Sequence, residues 1–539
     1  MKGDSSAHRY CPPPGPILPP PSNIESSHVF ISDALLKNTS WFDSSTFAIK
    51  ASIGDVPVIN YQHWGKINSA GSATKDLFNT KFRLASVTKV FTVLAVLLSG
   101  DKIGWEDSIT KYIPGLEAAL YKDVSISALA GQTSGLGRYG YVSDLSFLPT
   151  FSPKILGLTP INTTLPGCDP FPGGTVCTAS QVLDMFNDPN HHPHSPNSVS
   201  LYSNIAYNLL GQALESVYPN QSYASIIKKL IFEPIGMQTA GFDTPSASDE
   251  AEAILPLSGQ QWFAAPFSNF DPAGGIWATP DEFHKFAMAV RGNKLLNAAE
   301  TRKWLQPRSF LPSYYQLVGA PWEIIRPSDL KITVPRPIDI YTKSGGVPGY
   351  TSYLVLIPEY DVTITINVAG DKATPALQTL LPTVIKPLVA YADTQARQQA
   401  LAKYAGTYRG ASGSNSSLVL TIDGGPGLKI SSFNMNGAPV VAGLAAMRGI
   451  PVASASARVY PYDTDAWAEG KQVWRFQLDG PMATGNTWAD LDCASWNFGD
   501  PARYVGNPLD ILNVKVDSNG KAKEIELVGW RSTLKRTKD

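Results

Sequence analysis

Charge is scarce in this chain. Asp, Glu, Lys and Arg make up 17% of its 539 residues, against about 25% in an average soluble protein. The 44 basic and 45 acidic residues leave a net charge of −1. Without a basic excess to neutralise phosphates, a nucleic-acid partner is argued against. No run of 18 apolar residues occurs, so no membrane span is expected. There are only four cysteines and seven histidines. No C-x-x-C spacing exists, and His191, His192 and His194 lie in a Pro/Asn loop without a nearby acidic ligand, so neither a metal nor a cofactor is expected. P-loop glycines and a G-x-S-x-G elbow are also missing, which argues against an ordinary α/β-hydrolase triad.

Apolar residues are plentiful at 43%, enough for large cores, and 44 Gly with 43 Pro imply many loops. Cys168 and Cys177 are close together in a Pro/Gly-rich loop, which suits a short disulfide, whereas a Cys11–Cys493 bridge is a weaker prospect. Asn-x-Ser/Thr sequons at Asn38, Asn162, Asn220 and Asn415 add support for a secreted protein. Met1–Asp4 lacks an apolar signal core, so the expectation is an exported protein whose signal has been removed.

Residues Cys11–Ser22 read as an extended polyproline arm. Thr46–Trp64 alternates around Gly54-Asp55 and predicts a hairpin. Val87–Leu98 is apolar on nearly all sides and predicts a core helix. Further helices are predicted over Ser200–Ser216 and Tyr223–Ile231. Another starts at Thr279-Pro280-Asp281-Glu282, which reads as a complete capping box. Strands are predicted at Ile338–Ser344, Tyr350–Ile357 and Asp361–Val368, followed by a helix over Pro375–Leu401. Beyond Tyr404 short alternating runs predict an all-β unit, with the boundary near 396.

Ser-x-x-Lys occurs eight times, so the motif alone selects nothing. Ser86 stands apart because it lies where an extended run enters the core helix, with Lys89 one turn further on the same face. Burial should lower the pKa of that lysine and make a neutral amine available as a base. A serine at a helix start also sits where backbone N–H groups favour developing negative charge. The pair therefore suits an activated nucleophile. Tyr202-Ser203-Asn204 offers a phenol that can share a proton with a hydroxyl and an amide that can hold neighbours in place. Lys343-Ser344-Gly345 ends a predicted strand. It supplies positive potential, and Gly345 and Gly346 let a substrate lie close to the backbone.

In the order Ser-x-x-Lys, Tyr-x-Asn, Lys-Ser-Gly, the chain resembles the penicillin-recognising serine enzymes, nearest the class C β-lactamase group with its D-Ala-D-Ala carboxypeptidase, esterase and transacylase relatives. Trp105–Pro114, Gln132-Thr133-Ser134-Gly135-Leu136, Glu233–Met237, Ala273–Thr279 and Gly345–Tyr350 resemble further family segments, with Gln132 where the family has His and Ser344 where many members have Thr. The β unit loosely resembles a lipocalin-like module found on some secreted fungal members.

The resemblance implies an α+β fold: a mixed, mainly antiparallel sheet flanked by helices, a helical lobe and a C-terminal barrel-like domain. The division is 1–29 arm, 30–395 acyl-transfer domain, 396–539 all-β domain. Ser86 would be acylated, and Lys89 and Tyr202 would form the proton-transfer pair, with the base left open. Asn204 would orient Lys89 and the substrate. Lys343 would assist Tyr202 or meet a substrate carboxylate, and the backbone N–H groups of Ser86 and Gly346 would form the oxyanion hole. The loop Tyr139–Val199 would wall the pocket. The implied activity is a serine hydrolase acting through an acyl-enzyme on a small ester or amide. The alternatives are a transacylase or cyclase in small-molecule biosynthesis, and a non-catalytic binder on the same scaffold. Sequence leaves the oligomeric state open.

Overall fold

The computed structural model describes residues 12–22, 24–25, 30–66, 76–147, 151–161, 175–242, 244–464, 467, 470–480 and 499–537. The predicted hairpin forms β1 (Ser45–Ile53) and β2 (Val56–His63), turning at Gly54 with φ 56°. They open an eight-stranded sheet with β3 (Ser309–Phe310), β4 (Gln316–Val318), β5 (Glu323–Ile325), β6 (Ile340–Val347), β7 (Tyr350–Ile357) and β8 (Val362–Gly370). The order is β2-β1-β8-β7-β6-β5-β4-β3, and every neighbouring pair is antiparallel.

Strand β8 shows why the sheet is covered on both sides. Val362, Ile364, Ile366 and Val368 share one core cluster with Leu380, Val384 and Leu388 of a long helix. The alternate residues Thr363, Thr365 and Asn367 are equally buried on the opposite face. There Thr365 meets His284 at 3.1 Å, and Ser52 meets the same ring at 3.0 Å. Four helices frame the site and its sheet: α1 (Thr88–Leu98), α2 (Ile205–Val217), α3 (Pro280–Arg291) and α4 (Ala373–Lys403). Phe91 of α1 stacks on Phe286 of α3 with centroids 3.6 Å apart, joining the helical lobe to the helix on the sheet.

Several boundaries differ from the sequence reading. The helix expected from Ser200 begins at Ile205, which leaves Tyr202 and Asn204 on the loop before it. The helix from Tyr223 converts to a π-helical stretch at Lys228–Phe232. Thr279 caps α3 by accepting from the Glu282 N–H, but the box is half-built. The Glu282 carboxylate instead accepts from Gln238 N, Thr239 N and the Thr239 hydroxyl. Strand β6 runs past Ser344 to Val347, so Lys343 is central in the strand.

The described residues from Gly406 onward contain an antiparallel barrel. Its strands are Gly406–Arg409, Ser417–Thr421, Leu428–Met435, Ser456–Pro461, Lys471–Asp479, Ile511–Val516, Ala522–Leu527 and Ser532–Arg536. Consecutive strands pair with each other, and pairing of the first, Gly406–Arg409, with the last, Ser532–Arg536, closes the ring. Helix α4 crosses residue 396 without a break, and Ala396, Ala400 and Tyr404 belong to the barrel's core cluster. The proline arm is not free either: Ile17 and Leu18 are 3% and 4% exposed within that same cluster. No helix among the described residues is long and apolar enough to cross a membrane.

Candidate active site

The chain enters the site along Phe82–Arg83, which pairs with Trp277–Ala278. Ala85 then adopts φ 48°, an uncommon conformation for a residue with a side chain. The 3₁₀ turn Ala85–Val87 leads straight into α1, which puts Ser86 at the head of the core helix, half-buried. Arg83 fixes the wall beside it. Its guanidinium is fully buried and donates to the carbonyls of Phe263 (2.9 Å), Gly275 (2.6 Å) and Ala265 (2.8 Å). The segment so held, with its helical turn Asp271–Gly274, carries the Ala273 carbonyl to Lys89.

Lys89 has no exposed surface. Its Nζ lies 3.1 Å from Ser86 Oγ, and it donates to Asn204 Oδ1 and the Ala273 carbonyl, both at 2.6 Å. All three partners are neutral. Burial therefore dominates and lowers the pKa of the amine to about 8, with Tyr202 acting in the opposite direction.

Tyr202 closes the group. Lys89 and Lys343 stand 5.1 Å and 5.3 Å from its ring centroid. Burial pushes the phenol up, but the two lysine charges and the Ser86 hydroxyl outweigh it, and its pKa falls to about 8. The loop bearing Tyr202 is pinned by Gln132. Its backbone carbonyl accepts from Leu201 N at 2.8 Å, and its side-chain oxygen accepts from Ser203 N at 2.6 Å. Gln132, the residue that departs from the family's His, thus shapes the loop carrying the phenol. Ser203 caps α2 by accepting from Ala206 N at 3.0 Å, which aims Asn204 at Lys89.

On the opposite wall, Lys343 is 1% exposed and donates to the Glu323 carboxylate and, at 2.8 Å, to the Ser344 carbonyl. Burial works against its charge, but Glu323 outweighs it and the pKa stands above that of an ordinary lysine. Glu323 also accepts from Ser344 Oγ and Ser344 N, each at 2.9 Å. Gly345 has a steric cause: a Cβ there would lie 2.0 Å from the Leu84 carbonyl and 3.1 Å from Ser86 N. Strand β6 therefore touches the turn carrying Ser86 backbone to backbone. A Cβ on Gly346 would meet only Thr351, at 3.7 Å. Pro348 and Gly349 (φ 86°) make the turn that returns β6 to β7.

The structure thus brings Ser86, Lys89, Tyr202, Asn204, Lys343, Ser344 and Gly345 to one place, with Gly346 next in the strand. The sequence reading missed Arg83 and Glu323. The available signals were a lone arginine in the apolar run Phe82–Ala85 and a lone carboxylate in Trp322-Glu323-Ile324-Ile325. Among the described residues no group of three or more His, Cys, Asp or Glu converges to hold a metal. His191 packs edge-on against Tyr141, 4.7 Å between centroids. Cys177 is not a free thiol, and its carbonyl accepts from Asn269 at 2.9 Å. Cys168, Cys11 and Cys493 lie outside the described residues.

Comparison with known proteins places the chain in a family. The family model described as Beta-lactamase matches residues 58–384, and a beta-lactamase-like C-terminal domain model matches 396–538. The "Beta-lactamase-like protein" of Arthroderma benhamiae is 28% identical, with 88% of this chain and 84% of that one covered. "Probable hydrolase clz13" of Cochliobolus lunatus is 26% identical, covering 97% and 90%. Among solved structures, the octameric penicillin-binding protein homologue of Pyrococcus abyssi shares the fold at TM-score 0.50 and 17% identity, covering 93% of this chain and 98% of the other. The D-amino acid amidase of Ochrobactrum anthropi does so at TM-score 0.50 and 17% identity, covering 68% and 98%. With the matched segment spanning well over half its length, the chain belongs to the Beta-lactamase family of serine-hydrolase-like proteins.

Proposed function

We propose that the protein is a serine hydrolase that cleaves a small ester or amide through an acyl-enzyme on Ser86. The observation that carries this reading is the contact of 3.1 Å between the Ser86 hydroxyl and a fully buried lysine whose other close hydrogen bonds go to an amide and a backbone carbonyl. As Ser86 Oγ attacks the carbonyl, its proton passes to the Lys89–Tyr202 pair. The pair then returns it to the leaving alkoxide or amine. Water attacks the ester on Ser86 by the same route in reverse. Lys89 and Tyr202 are each brought down to about 8 and lie against one another, so the proton is assigned to the pair and not to either residue. The backbone N–H groups of Ser86 and Gly346 are assigned to the oxyanion, a role supported by the approach of β6 to the nucleophile turn.

Export is part of the same proposal. The asparagines of the described sequons, Asn38, Asn220 and Asn415, are all exposed, as glycosylation requires. A disulfide between Cys177 and Cys168 belongs with it. Both are read by mass: a shift on removal of N-glycans, and a disulfide-linked peptide spanning the two cysteines.

The test of function is intact-mass spectrometry after incubation with a panel of small activated esters and amides. The expected result is an adduct on wild-type protein, located on Ser86 and missing from Ser86→Ala. An adduct of equal yield on the variant overturns the reading. Adding an alcohol or amine acceptor and measuring product partition separates hydrolysis from acyl transfer. A binder without catalysis would give no adduct at all.

A further inference from the structure

The donors expected to meet a substrate carboxylate are already in use. Lys343 Nζ is engaged by Glu323 and by the Ser344 carbonyl, and its remaining side faces the Tyr202 ring. The Ser344 hydroxyl and the Ser344 N–H both donate to the same carboxylate, at 2.9 Å each. One acidic side chain thus collects the ammonium, the hydroxyl and a backbone donor of the Lys343-Ser344 wall.

The placement follows from the sheet. Glu323 pairs with Thr342 across β5 and β6, so its side chain needs to reach only one or two residues along the neighbouring strand. Its side chain is 33% exposed, while that of Lys343 is 1% exposed. The carboxylate is therefore the solvent-facing end of the pair, and an incoming ligand meets its negative charge before it meets the lysine. A charge-neutral pair with its acid outermost repels an anion and accepts a neutral or cationic group.

We propose that Glu323 is a built-in carboxylate that occupies the anion-binding donors of the Lys343-Ser344 wall and confines the site to esters and amides bearing no free carboxylate beside the scissile bond. The proposal rests on the acyl-transfer reading and names the substrate class of that site. It places β-lactam acids and peptides ending in a free carboxylate outside the preferred substrates. It places their neutral amides and esters within them.

The experiment uses the full chain and a matched pair of thioester depsipeptides, identical except that one ends in a carboxylate and the other in a carboxamide. Thiol release gives kcat and KM for each. Wild-type protein is expected to favour the carboxamide by about tenfold or more in kcat/KM, mainly through KM. Glu323→Gln keeps the shape and removes the charge, and is expected to shrink or invert that ratio. The wild-type ratio needs no variant, so a Glu323→Gln protein that failed to fold would still leave the proposal exposed to refutation. Binding of the same pair to Ser86→Ala, measured by calorimetry, reads the preference without turnover and separates the two claims. If neither thioester acylates Ser86 but the carboxamide binds more tightly, the hydrolase reading fails and the charge assignment stands. Equal or tighter handling of the carboxylate by wild-type protein overturns the proposal. So does an unchanged ratio in a folded Glu323→Gln, or no binding of the carboxamide to Ser86→Ala.

Discussion

The floor of the candidate active site and the interior of the C-terminal barrel are both closed to water, and they are filled in opposite ways. Under the cleft lie Arg83, Lys89, Asn204 and Lys343, all less than a tenth exposed. Inside the barrel lie Tyr408, Leu420, Leu428, Val459, Trp474, Leu512, Val514 and Ile525, with the Tyr404 and Trp474 rings 4.9 Å apart. A lipocalin-like shape thus comes with an interior plugged by aromatic and branched side chains. Two buried cations, Arg458 of the barrel and Lys89 of the cleft, also differ. Arg458, at 1% exposure, is met by both oxygens of Asp423 at 3.0 and 2.9 Å and by the Pro426 carbonyl at 2.8 Å. Lys89 has no carboxylate at all. Unbalanced charge is costly to bury. Arg458 in the barrel is matched by a carboxylate, as Lys343 in the cleft is by Glu323; Lys89 beside Ser86 hydrogen-bonds to none.

That contrast can be broken from either side. The largest effect is expected from Ser86→Ala, which should lower acylation by about 10³-fold or more and leave the melting temperature nearly unchanged. Lys89→Met keeps the apolar stem and deletes the amine. Acylation should fall by about 10²- to 10⁴-fold, while stability holds or rises because a costly polar group has left the core. A strong loss of folding in Lys89→Met would mean that the amine is structural. The pH profile is the next largest effect. With the Lys89–Tyr202 pair titrating near 8, the acylation rate should climb close to tenfold per pH unit below that value and level off above it. The sign follows because the active form has lost the pair's proton; a rate that falls as pH rises through 8 would contradict it. Arg458→Met should do the reverse of Lys89→Met, costing about 2 kcal/mol by stranding the partly exposed Asp423 while the folded protein keeps its kcat. Smallest is Thr279→Ala, about 1 kcal/mol for a lost helix cap, read as a shift in chemical denaturation midpoint with activity unchanged.

The same contrast explains how much of the molecule is legible in its sequence. Ser86 and Lys89 are one helical turn apart, so a local motif plus an apolar run is enough to place them together. Tyr202 reads as the start of a helix, yet it lies on a loop whose shape depends on Gln132, some 70 residues earlier and itself at φ 60°. Glu323 is invisible because its meaning depends on which residue of β6 lies opposite, and strand register is a long-range property. Arg83 escapes notice for the same reason: its carbonyl partners at Phe263, Ala265 and Gly275 are 180 or more residues away. At Thr279 local spacing suits a reciprocal box with Glu282, but the donors of Gln238 and Thr239 compete for that carboxylate and win. In the barrel, alternation reveals strands such as Ile511–Val516, whereas closure depends on pairing the first strand with the last, Tyr408 opposite Arg536.

Helix α4 has 31 residues, about 46 Å of rod at 1.5 Å per residue. Its first half backs the sheet that carries Lys343, and its final turns are embedded in the barrel. No cut in the chain separates the two modules cleanly. Truncation at 396 would sever the rod in mid-span and strip the partners from Ala396 and Ala400. The half that matches the Beta-lactamase model and its appendage are therefore welded along one shared beam, and are best expressed and purified as a single piece.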